Sequence, residues 1–294
     1  MSPTAVDAGA PQRIVSLLPA STDIVVALGL ADRLVGRSFE CTGPDEVLAT
    51  PAVTTDLLGA ATTSREIDDA VRAAATSGSG TSSVDLDRIA ALGPDVILTQ
   101  DLCDVCAVPA ASLTSLGVPL VTTHPHTLEG IAESIVTIAT ALGVKERGER
   151  VADEMRRRIE AVRRRVADRP RRRVVVAEWI DPPFVAGHWI PEMVAAAGGD
   201  DPLGVAGGRS TPTTWDAIRA EEPELVILAP CGLDATRATQ EFAATGERLD
   251  CPVVAIDADR LTAGPGPSVA EGVERIADLL HPDHTHATDE EVAR

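Results

Sequence analysis

Short apolar runs alternate with amphipathic stretches along most of the chain. The runs lie at residues 14–18, 34–36, 96–99, 120–123, 174–177, 225–228 and 253–256. Runs of this length, rich in Val, Ile and Leu, are typical of buried strands, and stretches such as 85–92 have the spacing of helices. The alternation predicts an α/β fold with mainly parallel sheets and helices on their faces.

One stretch, residues 145–169, is long and lacks proline. Its apolar residues fall on one helical stripe, which consists of Val151, Met155, Ile159, Val162 and Val166. At about 1.5 Å per residue it predicts a helix of roughly 35 Å, whose arginines at 156–158 and 163–165 form a solvated face paired with acidic neighbours. We expect two Rossmann-like lobes, 13–144 and 170–282, joined by this single rigid helix, with disordered ends at 1–12 and 283–294.

Charge, apolar segments and cysteine content bear on the partners and the location of the protein. The chain has 294 residues and a net charge of −19, which argues against nucleic acid and anionic membranes. No segment approaches the ~18 uninterrupted apolar residues of a membrane span, and residues 1–11 lack the basic and apolar regions of a signal peptide. Five cysteines, an odd number, indicate reduced thiols. We therefore expect a cytoplasmic protein, or an extracytoplasmic one if the amino terminus is truncated.

Residues that bind soft metals follow several predicted strands. In chain order they are Cys41, Cys103, Cys106, His124, His126 and His188. Because the carboxyl ends of parallel strands meet at one crevice, we expect these side chains to line a ligand site. Thiolate and imidazole bind zinc, cobalt, nickel, copper and haem iron, so the metal stays open. The alternative is that the cysteines are small buried hydrophobic residues, which we prefer for Cys231 and Cys251.

Aromatic residues are few, with three Phe, three Trp and no Tyr. Phe184, Trp189 and Trp215 lie near predicted loops, where a planar macrocycle could stack on their rings. His188 directly precedes Trp189 and could face the metal of such a ligand. The alternative is that the tryptophans belong to a core, which is their more frequent role.

Several motifs, in order along nearly the whole chain, resemble those of one protein family. They lie at residues 13–23, 86–97, 180–187, 198–200 and 215–227. They resemble the helical-backbone (class III) substrate-binding proteins of ABC transporters, and the second half is similar to the cobalamin-binding members. The resemblance implies two α/β lobes joined by one long helix, with ligand in a cleft between them. It also implies an ABC permease partner, onto which Asp87 and Asp216 would dock; the alternative is that both carboxylates merely cap helices.

The segments 39–41 and 102–108 resemble a cobalamin-binding branch of this family. The candidate ligand-binding residues are Pro19, Cys41, Asp101, Cys103, Cys106, His124, Phe184, His188, Trp189 and Trp215. Four of them, Cys41, Cys103, Cys106 and His188, are also candidate metal ligands.

We expect a binding protein for a small-molecule metal complex, cobalamin or a related corrinoid, with zinc or another transition metal as a further candidate. The sequence contains no phosphate loop, dinucleotide motif or nucleophile elbow, so we predict no catalytic residue and no enzyme. Two alternatives stay open. One is a cytosolic carrier or sensor of a transition metal or haem that uses Cys and His ligands, and the other is a thiol-dependent redox enzyme.

Overall fold

The computed structural model describes residues 10–59, 61–77, 80–100 and 113–282. Its contacts group the chain into two compact units. The first contains the residues up to Ala60, Ala70–His124 and Gly130–Asp153, and the second contains Ala61–Asp69, Pro125–Glu129 and the residues from Glu154 onward.

The strands of the first unit are β1 (Ile14–Ser16), β2 (Leu34–Arg37), β3 (Thr54–Asp56), β4 (Ser82–Val84), β5 (Val96–Gln100) and β6 (Leu120–Thr123). Four of them form a parallel sheet in the order β2-β1-β5-β6, and β3 pairs with β4 in an antiparallel ribbon. The four strands of this sheet coincide with the first four predicted apolar runs. A parallel strand is covered by helices on both faces, so its residues are apolar on both faces.

The helices that begin in the first half of the chain are α1 (Pro19–Ala27), α2 (Asp45–Leu48), α3 (Ser64–Ser77), α4 (Leu86–Leu92), α5 (Leu128–Ala141) and α6 (Lys145–Val166). A short 3-10 turn spans Ala31–Arg33. Helix α1 begins at Pro19. Proline suits a first helical turn because the backbone N–H that it lacks would have no acceptor there.

Helix α6 is the predicted long helix, and it ends at Val166, three residues before the expected 169. Its stripe is buried as expected at Met155, Ile159, Val162 and Val166. The sequence predicts that the arginines of this helix pair with acidic residues close to them in the chain. They also form ion pairs with other elements of the second unit, at Arg158–Glu274, Arg165–Asp278 and Arg156–Glu129.

The strands of the second unit are β7 (Arg172–Ile180), β8 (Pro183–Val185), β9 (Gly199–Asp200), β10 (Thr211–Pro212), β11 (Leu225–Leu228) and β12 (Val253–Ala255). They form one sheet in the order β10-β8-β7-β11-β12, in which β9 also pairs with β7. Strands β7, β11 and β12 run parallel to one another. Strand β8 runs antiparallel to β7, and β10 runs antiparallel to β8. The predicted α/β class with mainly parallel sheets is confirmed.

The helices of the second unit are α7 (Ile190–Ala196), α8 (Trp215–Ala220), α9 (Ala235–Thr245), α10 (Ala258–Leu261) and α11 (Val269–Leu280). One hydrophobic core of this unit joins β7 and β11 to α8 and α9 through Val175, Val226, Trp215 and Phe242. Within the described ranges, no helix combines the length and apolar character needed to cross a membrane.

Two short segments of the predicted first lobe, 61–69 and 125–129, group with the second unit. In the first of them, Ser64 donates from its backbone N–H and its hydroxyl to the carboxylate of Glu241, at 2.8 and 3.0 Å. The predicted lobe boundaries differ from the structure here because a hydrogen bond between residues so far apart leaves no signal in the local sequence.

Candidate functional site

Cys41 lies in the first unit, in the loop after β2. It is buried, and its Sγ is 3.0 Å from Oγ1 of Thr22, which donates to the hydroxyl of Ser16 at 2.8 Å. Burial raises the pKa of the Cys41 thiol, so the thiol is protonated at neutral pH. Because a metal binds the thiolate, a metal at Cys41 would have to displace this proton.

The other predicted residues of the first unit divide into two groups. Asp101, Cys103 and Cys106 lie outside the described residues, so their grouping with Cys41 stays a prediction. Pro19 is half-buried after β1, and His124 is exposed after β6, so both follow strand ends. Across the described ranges, no group of three or more His, Cys, Asp or Glu side chains is arranged to hold a metal ion.

His188 is the candidate metal ligand of the second unit. It is half-buried in the loop between β8 and α7, and its φ of 51° is uncommon for a residue with a Cβ. Its N–H donates to the carbonyl of Gly208 at 2.6 Å, and its carbonyl accepts from the N–H of Gly207 at 2.8 Å. Burial, and then the nearby His126 and Arg209, lower the pKa of His188, so the imidazole is neutral at neutral pH.

A second imidazole faces His188. Nδ1 of His126 lies 3.4 Å from Nδ1 of His188, and the ring centroids are 5.5 Å apart. His126 is exposed, and it belongs to the segment 125–129 that groups with the second unit. The sequence analysis did not pair these residues, because no local pattern connects positions 62 residues apart.

The three candidate aromatic residues differ in exposure. Phe184 is half-buried in β8, whereas Trp189 and Trp215 are only 3% and 6% exposed. The indole N–H of Trp189 donates to the carbonyl of Thr262 at 2.7 Å, and Trp215 packs edge-on against Phe242 with ring centroids 4.9 Å apart. Both tryptophans are therefore nearly buried, which favours the alternative of a core role, and stacking of either ring on a ligand stays a prediction.

The two remaining cysteines also differ from each other. Cys251 is half-buried before β12 and packs against the core of the second unit, in agreement with a structural role. Cys231 is exposed in the loop after β11, so the prediction of a buried hydrophobic residue is wrong at this position. Its thiol interacts instead with the carboxylate of Asp259.

Asp87 and Asp216 occupy equivalent places in two helices. Each is the second residue of its helix, α4 or α8, and each is exposed. The helices are capped by the preceding Asp85 and Thr214, whose side chains accept hydrogen bonds from backbone N–H groups of the first turn at 2.9 and 3.1 Å. Asp85 and Thr214 therefore make the capping hydrogen bonds. Asp87 and Asp216 lie in the first turns, where the helix dipole favours a carboxylate, and Asp216 also pairs with Arg219.

A cavity of about 790 Å³ lies in the second unit along α6 and α7. Its lining includes Ile159 and Val166 of α6, with Arg169 and Arg171 near the amino end of β7. His188 belongs to the loop after β8, and it does not line the cavity. The cavity is therefore a different place from the loop that carries His188.

Comparison with known proteins identifies the family. A model of the family described as periplasmic binding protein matches residues 14–249, which is most of the chain. The chain belongs to this family. Among the relatives of this chain, an uncharacterised ABC-transporter substrate-binding lipoprotein of Bacillus subtilis is 22% identical over 291 residues, covering 93% of this chain and 81% of the relative. A vitamin B12-binding protein of Yersinia pestis is 22% identical over 224 residues, covering 76% and 71%.

Solved structures share the fold of this chain. The vitamin B12-binding protein of Vibrio cholerae matches with a TM-score of 0.65 and 22% identity, covering 92% of this chain and 97% of that chain. A heme-binding protein of Pseudomonas aeruginosa matches with a TM-score of 0.71 and 21% identity, covering 93% and 94%. The resemblance to helical-backbone substrate-binding proteins is confirmed.

The expected cytoplasmic location is wrong. Among the proteins to which the chain is similar, one is a lipoprotein and two are periplasmic proteins. The expectation rested on the first eleven residues and on an odd number of cysteines, and family membership outweighs both.

Proposed function

We propose that the protein is the extracytoplasmic substrate-binding component of an ABC importer, and that its ligand is a corrinoid. The family and the vitamin B12-binding relatives support the general role. The observation that carries the choice of a metal complex is the half-buried imidazole of His188, held in a loop of this fold. A neutral imidazole is the commonest metal ligand of proteins, and the pKa of His188 is lowered, which favours that neutral form.

One further feature supports a flat apolar ligand. Phe184 is half-buried in β8, a few residues before His188. A macrocycle could use this aromatic surface together with one axial imidazole. The thiols of Cys103 and Cys106, which follow β5, remain proposed contacts of the same ligand.

Equilibrium dialysis against cobalamin, cobinamide and haem tests the proposal. We expect saturable binding of one corrinoid per chain, with a visible spectrum that changes on binding. The His188→Ala variant should bind the corrinoid about tenfold or more weakly, the scale expected for loss of ligand-shell support. The matched variant Thr213→Ala, in the loop before α8, should bind like the parent. Absence of saturable corrinoid binding by the parent protein would overturn the proposal.

Haem is the second candidate, because a heme-binding protein of Pseudomonas aeruginosa shares this fold at a TM-score of 0.71. Haem iron takes His, Cys, Met or Tyr ligands, and this chain has no Tyr, which leaves the first three types. Saturable binding of haem without binding of any corrinoid would select this candidate. We propose no enzymatic activity, since the relatives are substrate-binding proteins.

We propose Asp87 and Asp216 as docking residues for the permease. Both carboxylates are exposed in the first turns of helices that other residues cap. Asp216 also pairs with Arg219, but its side chain is 91% exposed, so a basic partner surface can reach both carboxylates. In cells of the source organism, Asp87→Lys and Asp216→Lys should each reduce uptake of labelled ligand, on the order of tenfold, by opposing a basic docking surface.

Ligand binding by the two purified docking variants should equal that of the parent. The control is Glu133→Lys, which reverses an exposed charge on α5 and should leave uptake intact. Normal uptake by both docking variants, or an equal loss in the control, would contradict the proposed docking role.

A further inference from the structure

His126 and His188 form an imidazole pair within the second unit. Their Nδ1 atoms are 3.4 Å apart, although the residues are separated by 62 positions. His126 is exposed and His188 is half-buried, so a small ion in solvent can reach the space between them. The ring centroids are 5.5 Å apart, farther than the nitrogens, so the rings turn their Nδ1 edges toward each other and do not stack.

The separation of the two nitrogens fits a shared metal ion. Two imidazole nitrogens that lie about 2.0–2.1 Å from one tetrahedral ion are about 3.3–3.4 Å apart. A direct hydrogen bond between two ring nitrogens would bring them closer, since hydrogen bonds donated by N–H have a usual distance of about 2.9–3.0 Å. The observed 3.4 Å matches the first arrangement better.

Each imidazole is held in place by its own scaffold. The segment that carries His126 is fixed by the N–H of Leu128, which donates to Glu192 of α7 at 2.7 Å, and by the ion pair of Glu129 with Arg156 of α6. The backbone of His188 is fixed at positive φ by hydrogen bonds to Gly207 and Gly208. A site assembled before its ligand arrives loses less conformational entropy on binding.

We propose that His126 and His188 together chelate a divalent transition-metal ion that has two adjacent open coordination positions. A tetrahedral Zn²⁺ or Co²⁺ ion fits the observed 3.4 Å, and hydrated Cu²⁺ or Ni²⁺ fits once the exposed His126 ring moves to the ~2.8–3.0 Å that separates adjacent ligands at 90°. Water supplies the remaining ligands, because the described residues offer no third protein ligand. A tetrapyrrole leaves open positions only on opposite faces of its metal, so it can take one imidazole of this pair but not both. The site therefore goes beyond the proposed function and does not rest on it.

The net charge of the chain supports the same class of ligand. With a net charge of −19, the protein attracts cations to its surface within about one Debye length. Imidazole pairs follow the general order of stability in which Cu²⁺ binds more tightly than Ni²⁺, and Ni²⁺ more tightly than Co²⁺. The pair should show this order.

Metal titration tests the site in a chain that carries His284→Ala and His286→Ala, so that these two closely spaced histidines cannot contribute ligands. Isothermal titration with Ni²⁺ should give one site per chain. In this background His126→Asn and His188→Asn should each weaken Ni²⁺ binding roughly tenfold or more. Asparagine keeps a hydrogen-bonding atom near the position of Nδ1, so these variants preserve a simple hydrogen bond and remove the metal ligand. His281→Asn, which changes another half-buried histidine of the second unit, should bind Ni²⁺ like the background chain.

Electron paramagnetic resonance of the Cu²⁺ complex gives an independent readout. The background chain should show hyperfine coupling to two imidazole nitrogens, and each Asn variant should show one. Ni²⁺ binding that is equal in the background chain and in the His126→Asn/His188→Asn double variant would overturn the proposal, as would coupling to one nitrogen or none in the background chain. Cobalamin binding, measured on the same proteins, reports separately on the corrinoid proposal.

Discussion

Replacing Trp215 by alanine should lower the free energy of unfolding by about 3–5 kcal/mol, the range for a large aromatic residue removed from a core. Trp215 is 6% exposed in the core that joins β7 and β11 to α8 and α9. Its ring meets Phe242 edge-on, at an interplanar angle of 66°, and such pairs add about 0.5–1.5 kcal/mol beyond the buried area. The variant loses both contributions and leaves a cavity.

Trp215→Phe is the matched control for this prediction. The buried indole N–H of Trp215 has no hydrogen-bond partner among the described residues, so phenylalanine removes an unsatisfied donor while it keeps an aromatic ring. We expect Trp215→Phe to cost less than half as much as Trp215→Ala in urea unfolding, and to bind ligand like the parent. If Trp215→Ala were as stable as the parent but bound ligand weakly, the ring would contact ligand and the assignment to the core would be wrong.

Local sequence predicted most of the regular structure. The runs at 96–99 and 225–228 are strands because continuous apolar segments of this length must be buried on both faces of a parallel sheet. The stripe of α6 is buried because its apolar residues recur with the 3.6-residue period of an α-helix and so lie on one face. Helix α4 was also predicted, and Asp85 caps its start while Gly93, at a φ of 54°, ends it.

The candidate site depended on contacts that local sequence does not encode. The partnership of His126 with His188 requires the segment 125–129 to lie on α7, and a hydrogen bond from Leu128 to Glu192 determines that placement. The burial of Trp189 likewise depends on the distant carbonyl of Thr262. The positions that follow predicted strands could be read from the sequence, but the sequence could not show which of their side chains are buried and which are exposed.

Asp201 should make the stability of the protein fall as pH rises. Its carboxylate accepts hydrogen bonds from the N–H groups of Leu203, Gly204 and Val176, at 3.1, 3.0 and 3.3 Å. Burial outweighs these bonds and, with a smaller effect of the nearby Asp200 charge, raises the pKa of Asp201 from 3.8 to about 6. The folded state therefore binds a proton more tightly than the unfolded chain does.

The sign and size of the effect follow from linkage. Between pH 3.8 and about 6 the folded protein holds a proton at Asp201 that the unfolded chain has released. The stabilisation from this proton is fully present below pH 3.8 and is lost as pH rises through about 6. At about 1.4 kcal/mol per pKa unit, the rise in the pKa of Asp201 from 3.8 to about 6 corresponds to about 3 kcal/mol of folding stability.

Urea unfolding of the parent and of Asp201→Asn at intervals from pH 4 to pH 8 measures this contribution. Asparagine keeps an acceptor oxygen for the loop but cannot ionise. The parent should therefore lose up to about 3 kcal/mol relative to Asp201→Asn as pH rises from 4 to 7, with no further change above pH 7. Asp250→Asn, which removes an exposed carboxylate before β12, should follow the parent at every pH. Parallel pH profiles of the parent and Asp201→Asn would mean that the folded protein binds no extra proton at Asp201, and that the three N–H donors are sufficient to keep its carboxylate ionised.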